Sequence, residues 1–349
     1  MAGKRQHFIP RFLQRGFIME GKRKDYTWKY EPGANPVPQP INNVGLEGMF
    51  YSNEGDNTLD DEITKYEENI CQIINIIRSG GSIEAVEDDL PLMIAHFEGR
   101  SQNFRRNFYM ASESLLKAMM TRFFDDGGVK DVLLSRLNHP SFIDKQINTV
   151  LSNLPIDDKS KILIRDNAIK YISKNYDSFL NSAIKVIEVN FRAEVNKRLK
   201  QVIKNGHVKG LLNLKKDSPR VNLYGEMNFK VIQTDYNLIL GDSMVIFENT
   251  SQQRYVPSHD IKYDLLSVCL PVSSNTILYG SVNDKVKINP EMNEQIAKCS
   301  MSFFISSKKD DDLVCLQKYI GENCMLLGRE EIQSILDEAI NEQITTFEP

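Results

Sequence analysis

At 349 residues, 41% hydrophobic and with a formal net charge of -4, the chain is long enough to bury a substantial core. Its charge gives no whole-molecule field that would attract a polyanion. The five cysteines, Cys71, Cys269, Cys299, Cys315 and Cys324, are odd in number and scattered without a Cys-x-x-Cys pair, which argues against a disulfide framework or a thiolate zinc site. No apolar run approaches the roughly 18–20 residues that cross a bilayer, and no apolar leader is visible, so a cytoplasmic protein with no membrane partner is expected.

The chain opens with a basic stretch. Lys4, Arg5, Arg11, Arg15, Lys22, Arg23, Lys24 and Lys29 face only Glu20 and Asp25, whereas residues 310–349 are acidic. A basic end can engage phosphates; it can equally be a solvated surface or the partner of an acidic segment of the same chain. Within it, an extended piece runs into Pro10, and a helical turn over 11–15 is stopped by Gly16. Strands are predicted at Tyr26–Tyr30 and Gly48–Tyr51, separated by a proline- and asparagine-rich loop from Pro32 to Asn43.

From Asn57 the period changes. Leu59, Ile63, Tyr66, Ile70, Ile73, Ile74 and Ile77 recur at three- and four-residue spacing, an amphipathic helix ended by Gly80-Gly81. A longer helical region covers about Ala85 to Phe124 and is punctuated by Asp125-Asp126-Gly127-Gly128. Residues 129–204 are also largely helical, with breaks at Pro140 and Pro155. After Gly206 short apolar runs predict strands at 229–232, 238–240, 244–247, 265–270 and 276–280, close enough in sequence for an antiparallel sheet. Helices around 291–304 and 329–343 close the chain, with a strand at Leu313–Leu316 between them. Helices gathered between two strand-rich ends point to an α+β fold: a single domain of two closely packed parts, 1–205 and 206–349.

Motifs that commonly settle function are missing. There is no G-x-x-x-x-G-K-[ST] phosphate loop, no strand-linked G-x-G-x-x-G and no G-x-S-x-G elbow. The five histidines, His7, His96, His139, His207 and His259, show no H-E-x-x-H or H-x-H spacing, so any metal would depend mainly on carboxylates.

The segment Gln6-His7-Phe8-Ile9-Pro10-Arg11-Phe12-Leu13-Gln14-Arg15-Gly16-Phe17 resembles the N-terminal signature Gln-His-x-x-Pro-x-x-Tyr/Phe-Leu-x-x-Phe of a bacterial family, domain of unknown function 4238. Three further stretches are similar to that family in the same order. They are Ile63-Thr64-Lys65-Tyr66-Glu67, Arg100-Ser101-Gln102-Asn103-Phe104-Arg105 with Gln102 in place of a proline, and Gly241-Asp242-Ser243-Met244-Val245 with Met244 in place of another, followed by Leu270-Pro271-Val272-Ser273. The resemblance implies an architecture and candidate positions; it carries no established reaction.

The residues themselves suggest chemistry. His7, in a basic, proline-bracketed segment, suits general acid–base work or a phosphate contact, and equally a structural bond to backbone. Arg11, four residues on, would approach His7 if the segment were helical and clamp an anionic oxygen. Arg100 and Arg105 can neutralise phosphate charge, although helix arginines also cover apolar surface. Glu67 is a metal ligand or general base, or part of a solvated acidic face. Asp242 sits at a strand end, where a carboxylate can face a cleft or simply make a turn.

The leading expectation is therefore a phosphodiester-cleaving enzyme, a nuclease or ribonuclease acting as a bacterial conflict or anti-phage defence effector. His7, Asp242 and Glu67 would be catalytic and Arg11, Arg100 and Arg105 would bind phosphate, with Asp242 and Glu67 orienting His7 or holding a divalent cation. The alternative is a non-catalytic nucleic-acid- or nucleotide-binding module that signals to a protein partner or to another copy of itself.

Overall fold

The computed structural model describes residues 5–21, 25–48, 58–121, 124, 130, 134, 140–252, 254–260, 262–283, 286 and 288–324. The expected elements at 49–51, 125–128 and 329–343, together with Lys4, Lys22, Arg23, Lys24 and His139, lie outside these residues. The chain forms two compact units, residues 1–110 with 203–329 and residues 111–202 with 330–349. These boundaries differ from a division at 205/206 because strand pairing ties the N-terminal segment to the strand-rich part.

In the first unit, β1 (Arg5–His7) pairs antiparallel with β4 (Leu46–Gly48), His7 opposite Leu46. Helix α1 (Arg11–Gln14) starts directly after Pro10 and tightens into a 3-10 turn over Arg15–Phe17. A four-stranded sheet follows the order β3-β2-β11-β6, from β3 (Val37–Pro40), β2 (Tyr26–Tyr30), β11 (Phe304–Ser306) and β6 (Leu240–Gly241). The proline-rich stretch expected to be a loop thus contains a strand. Pro38 and Pro40 are tolerated because β3 is an edge, where a missing N–H breaks no interior ladder.

A five-stranded antiparallel sheet has the order β5-β10-β9-β7-β8. It is built from β5 (Asn228–Gln233), β10 (Thr276–Ser281), β9 (Leu265–Ser273), β7 (Ile246–Asn249) and β8 (Tyr255–Val256). Pro271 lies on an interior strand, but beyond the end of its pairing with β7 at Cys269 and beside the register shift in its pairing with β10, where a missing N–H is tolerated.

Helix α2 (Thr58–Arg78) buries Ile63, Ile70, Ile73, Ile74 and Ile77, the expected isoleucine stripe. The region expected as one helix from 85 to 124 is divided: α3 (Leu90–Arg100) ends at Ser101, whose backbone is extended (φ -61, ψ 147), and α4 (Gln102–Met120) begins. Ser101 Oγ accepts the Phe104 N–H at 3.1 Å, an N-cap bond that starts the new helix. Ten of the eleven residues of α3 are buried, so this helix runs through the core; Glu98 and Arg100 find polar partners there, whereas His96 stacks on Tyr66 and its Nε2 makes no hydrogen bond.

The first unit is completed by α8 (Pro219–Gly225), α9 (Met292–Cys299) and α10 (Asp311–Leu316). The last replaces the strand expected at 313–316. Asp310 caps it by accepting the Asp312 N–H at 2.9 Å, and Asp311 and Asp312 favour the positive end of the helix. The second unit holds α5 (Pro140–Ser152), α6 (Asp158–Lys174) and most of α7 (Tyr176–Leu212). Arg165 on α6 makes a two-point bond to Asp144 on α5 at 2.7 and 3.0 Å, and Met120, Phe124, Leu116, Ile184 and Val195 form a small apolar cluster. Antiparallel sheets with separate helices make the architecture α+β.

Candidate functional site

Most of the N-terminal signature holds backbone in place. Ile9, Leu13 and Phe17 are fully buried. Gln14 Nε2 donates to the Ile9 carbonyl at 2.8 Å and the Val44 carbonyl at 3.1 Å, tying α1 to the chain just before β4. Arg78, at the end of α2, donates to Phe12 O at 2.7 Å, Leu13 O at 2.8 Å and Val272 O at 2.7 Å. The first two are carbonyls of the last turn of the short helix α1, so one guanidinium caps α1 and fastens it to β9.

Gly16 is required by proximity. A Cβ there would lie 2.2 Å from Val272 O and 2.8 Å from Ser273 Cα, and its carbonyl accepts the Ser274 N–H at 2.9 Å. Gly45 combines a left-handed backbone (φ +60) with Ile9 Cβ 2.7 Å from where its own Cβ would be. These contacts set β1 and α1 around the mouth of a cavity of about 530 Å³.

His7, Arg11, Arg15, Glu67, Glu68 and Arg100 contribute the ionisable lining of this cavity, beside Cys71 of α2. Arg100, 1% exposed at its side chain, projects from the C-terminal end of the buried helix α3. Its Nη2 donates to the His7 carbonyl at 2.6 Å, and its Nη1 pairs with Glu67 Oε1 at 2.5 Å. The signature strand, α2 and α3 therefore meet at one guanidinium.

The His7 ring is held by a separate contact, Nδ1 to Val44 O at 3.1 Å. A carbonyl only accepts, so this bond places the neutral ring's proton on Nδ1 and leaves a lone pair on Nε2. Burial lowers the His7 pKa most. The Val44 bond opposes that shift, Arg11 and Arg100 add to it, and Glu67 works against it. The imidazole is thus neutral at neutral pH and suited to accept a proton.

Four of the six residues singled out in the sequence, His7, Glu67, Arg11 and Arg100, line this cavity. Arg11 reaches it by a route other than helical spacing. His7 ends a strand and Arg11 starts a helix beyond Pro10, and the Arg11 side chain donates to Asn42 Oδ1 at 3.2 Å.

Arg105 and Asp242 do not line the cavity. Arg105 pairs with Glu47 at 3.0 Å. Asp242 is buried and accepts backbone N–H groups from Met301 at 2.6 Å, Ser302 at 2.7 Å and Phe303 at 3.3 Å. Burial raises its pKa to about 6 against the pull of these three donors. Its carboxylate organises the turn before β11, and the ring of His7 is oriented by Val44 O instead. Among the described residues no group of three or more His, Cys, Asp or Glu side chains is placed to hold a metal ion, and no helix is long and apolar enough to cross a membrane.

Sequence reasoning missed Glu98. From within α3 its carboxylate accepts Arg220 Nε at 3.0 Å and Nη2 at 2.6 Å, Tyr224 OH at 2.6 Å, Ser258 Oγ at 2.5 Å and the His259 N–H at 3.0 Å. This saturated buried carboxylate joins α3, α8 and the segment after β8. A glutamate directly after the run Leu90–Phe97, which is apolar but for His96, was the available signal.

Fold and cavity together define an α+β protein whose N-terminal histidine–proline segment closes a mixed-charge cavity over two helices. The chain belongs to the family described as protein of unknown function, DUF4238, whose model matches residues 5–342. No match was found among curated proteins or solved structures. The two positions where the resemblance implies proline differ in backbone. Gln102 opens α4 behind the Ser101 cap, a first-turn position that proline also fits. Met244 has φ +62, which proline cannot adopt, so a chain with proline there must turn differently.

Proposed function

We propose that the cavity binds a phosphodiester and that His7 is its general base, making the protein a nuclease-like, phosphodiester-cleaving enzyme. The observation that carries this reading is the Val44 bond, which presents a neutral imidazole with Nε2 available beside guanidinium groups. Arg11 and Arg15 would meet the phosphate oxygens, because Arg100 is already engaged by Glu67 and His7 O. Arg100 then positions: it fixes the backbone of the base and the carboxylate of Glu67.

The test is cleavage of labelled RNA and DNA oligonucleotides by the purified full chain and by His7→Gln, with circular dichroism verifying the fold. Removing a general base is expected to slow turnover by about 10²–10⁴-fold. Undiminished cleavage by His7→Gln would overturn the assignment. As an effector in bacterial conflict, the wild-type protein would slow growth when expressed and His7→Gln would not.

One observation favours a second reading, a non-catalytic nucleic-acid- or nucleotide-binding module with a protein partner or a second copy. The buried Arg100 charge is compensated within the fold, as in a structural ion pair. Salt-dependent retention of oligonucleotide without turnover would support it.

A further inference from the structure

Resting on the phosphodiester reading, we infer that the substrate is RNA, that the attacking group is its own 2′-hydroxyl, and that the product ends in a 2′,3′-cyclic phosphate. The cavity supplies a base and cations in His7, Arg11 and Arg15. What its described side chains do not supply is an activated nucleophile. Cys71, the thiol in the lining, accepts Asn75 Nδ2 at 3.7 Å along its own helix and makes no hydrogen bond to His7.

Water as nucleophile would need an activating group of its own at a dianionic transition state, and Glu67, a carboxylate of the lining, is held in its ion pair with Arg100. A nucleophile carried by the substrate removes that need. A well-placed intramolecular group acts at an effective concentration of about 10⁵–10⁸ M, leaving the protein to remove one proton and neutralise charge. Those are the two capacities this cavity has.

The chemistry balances without a co-reactant. His7 Nε2 takes the 2′-hydroxyl proton as the 2′-oxygen–phosphorus bond forms. The phosphorus–5′-oxygen bond breaks, and the leaving 5′-oxygen takes a proton from water in the open cavity. The hydroxide produced recovers the proton held by His7, returning the neutral imidazole. The fragments carry a 2′,3′-cyclic phosphate and a 5′-hydroxyl.

The experiment incubates the full chain with one oligonucleotide sequence made as RNA, as 2′-O-methyl RNA and as DNA, in EDTA and separately in Mg²⁺, with products identified by mass. The expected result is RNA cleavage in EDTA, with 2′-O-methyl RNA and DNA at least about 10³-fold slower. The terminal product should be one water lighter than a linear phosphate, and His7→Gln should lose the activity. Cleavage of 2′-O-methyl RNA or DNA at a comparable rate, or a linear phosphate as first product, overturns this inference and leaves the phosphodiester reading standing. No cleavage of any of the three, in EDTA or Mg²⁺, overturns both.

Discussion

Replacing Arg78 with methionine tests whether the N-terminal signature is a clamped scaffold. The guanidinium makes three hydrogen bonds of 2.7, 2.8 and 2.7 Å to the Phe12, Leu13 and Val272 carbonyls. Each charged hydrogen bond contributes about 1.5–3 kcal/mol, and a buried carbonyl left without a donor costs about 1–3 kcal/mol. The gross loss is roughly 5–9 kcal/mol. Methionine removes the desolvation cost of burying the cation and fills part of its volume, so a net loss of about 3–5 kcal/mol is expected.

Urea unfolding followed by circular dichroism gives the global value, and amide exchange at residues 13–17 gives the local one. Exchange there should accelerate more than at β9 and β10, because α1 loses its cap while the five-stranded sheet keeps its ladder. A loss below about 1 kcal/mol, or unchanged protection at 13–17, would refute the clamp.

Other outcomes follow from the same contacts. Gly16→Ala drives a methyl to 2.2 Å from Val272 O, so a stability loss of at least about 2 kcal/mol is expected in thermal melts. His96 is held down to about 3 by burial and then by Arg100, below the unfolded value near 6.5. The unfolded chain therefore binds the proton first, and stability falls as pH drops from 6.5 towards 3. His96→Leu should remove that acid limb and recover about 2 kcal/mol at pH 5, measured by urea unfolding at pH 5 and 7.5. Asp242→Ala frees three backbone N–H groups and should cost about 2–4 kcal/mol while leaving the pH dependence of cleavage unchanged; a shifted profile would return Asp242 to the site. Because the His7 pKa is lowered, turnover should be lost as pH falls, with the midpoint below 6.5, in a pH–rate profile of kcat/KM.

What was legible in the sequence depended on whether local pattern decided the structure. The isoleucines of α2 repeat at helical spacing because one face packs on the core and the other meets solvent. Helix α3 is buried nearly all round, so no polar face marked its limits, and the break at Ser101 rests on a single capping bond. Strand β3 has two prolines, which local rules read as a loop; only its edge position permits pairing. Phe304–Ser306 pairs with Trp28–Tyr30 across most of the chain, a contact that no window of sequence contains.

The site divides in the same way. His7, Arg11, Glu67 and Arg100 were individually visible as polar groups in suggestive settings, and the fold brings them to one cavity. Asp242 reads identically whether its carboxylate faces a cleft or collects the N–H groups of a turn, and here it does the second. The Val44 contact that sets the His7 tautomer comes from a backbone carbonyl, which leaves no trace in side-chain identity.

The central claim is that His7, held through Nδ1, is a base acting on a phosphodiester in this cavity. Its most direct test is the rate of oligonucleotide cleavage by wild-type protein against His7→Gln, both shown by thermal melt to be folded. The account predicts measurable cleavage by the wild type and a loss of about 10²–10⁴-fold in the variant. Equal rates in the two proteins would contradict it.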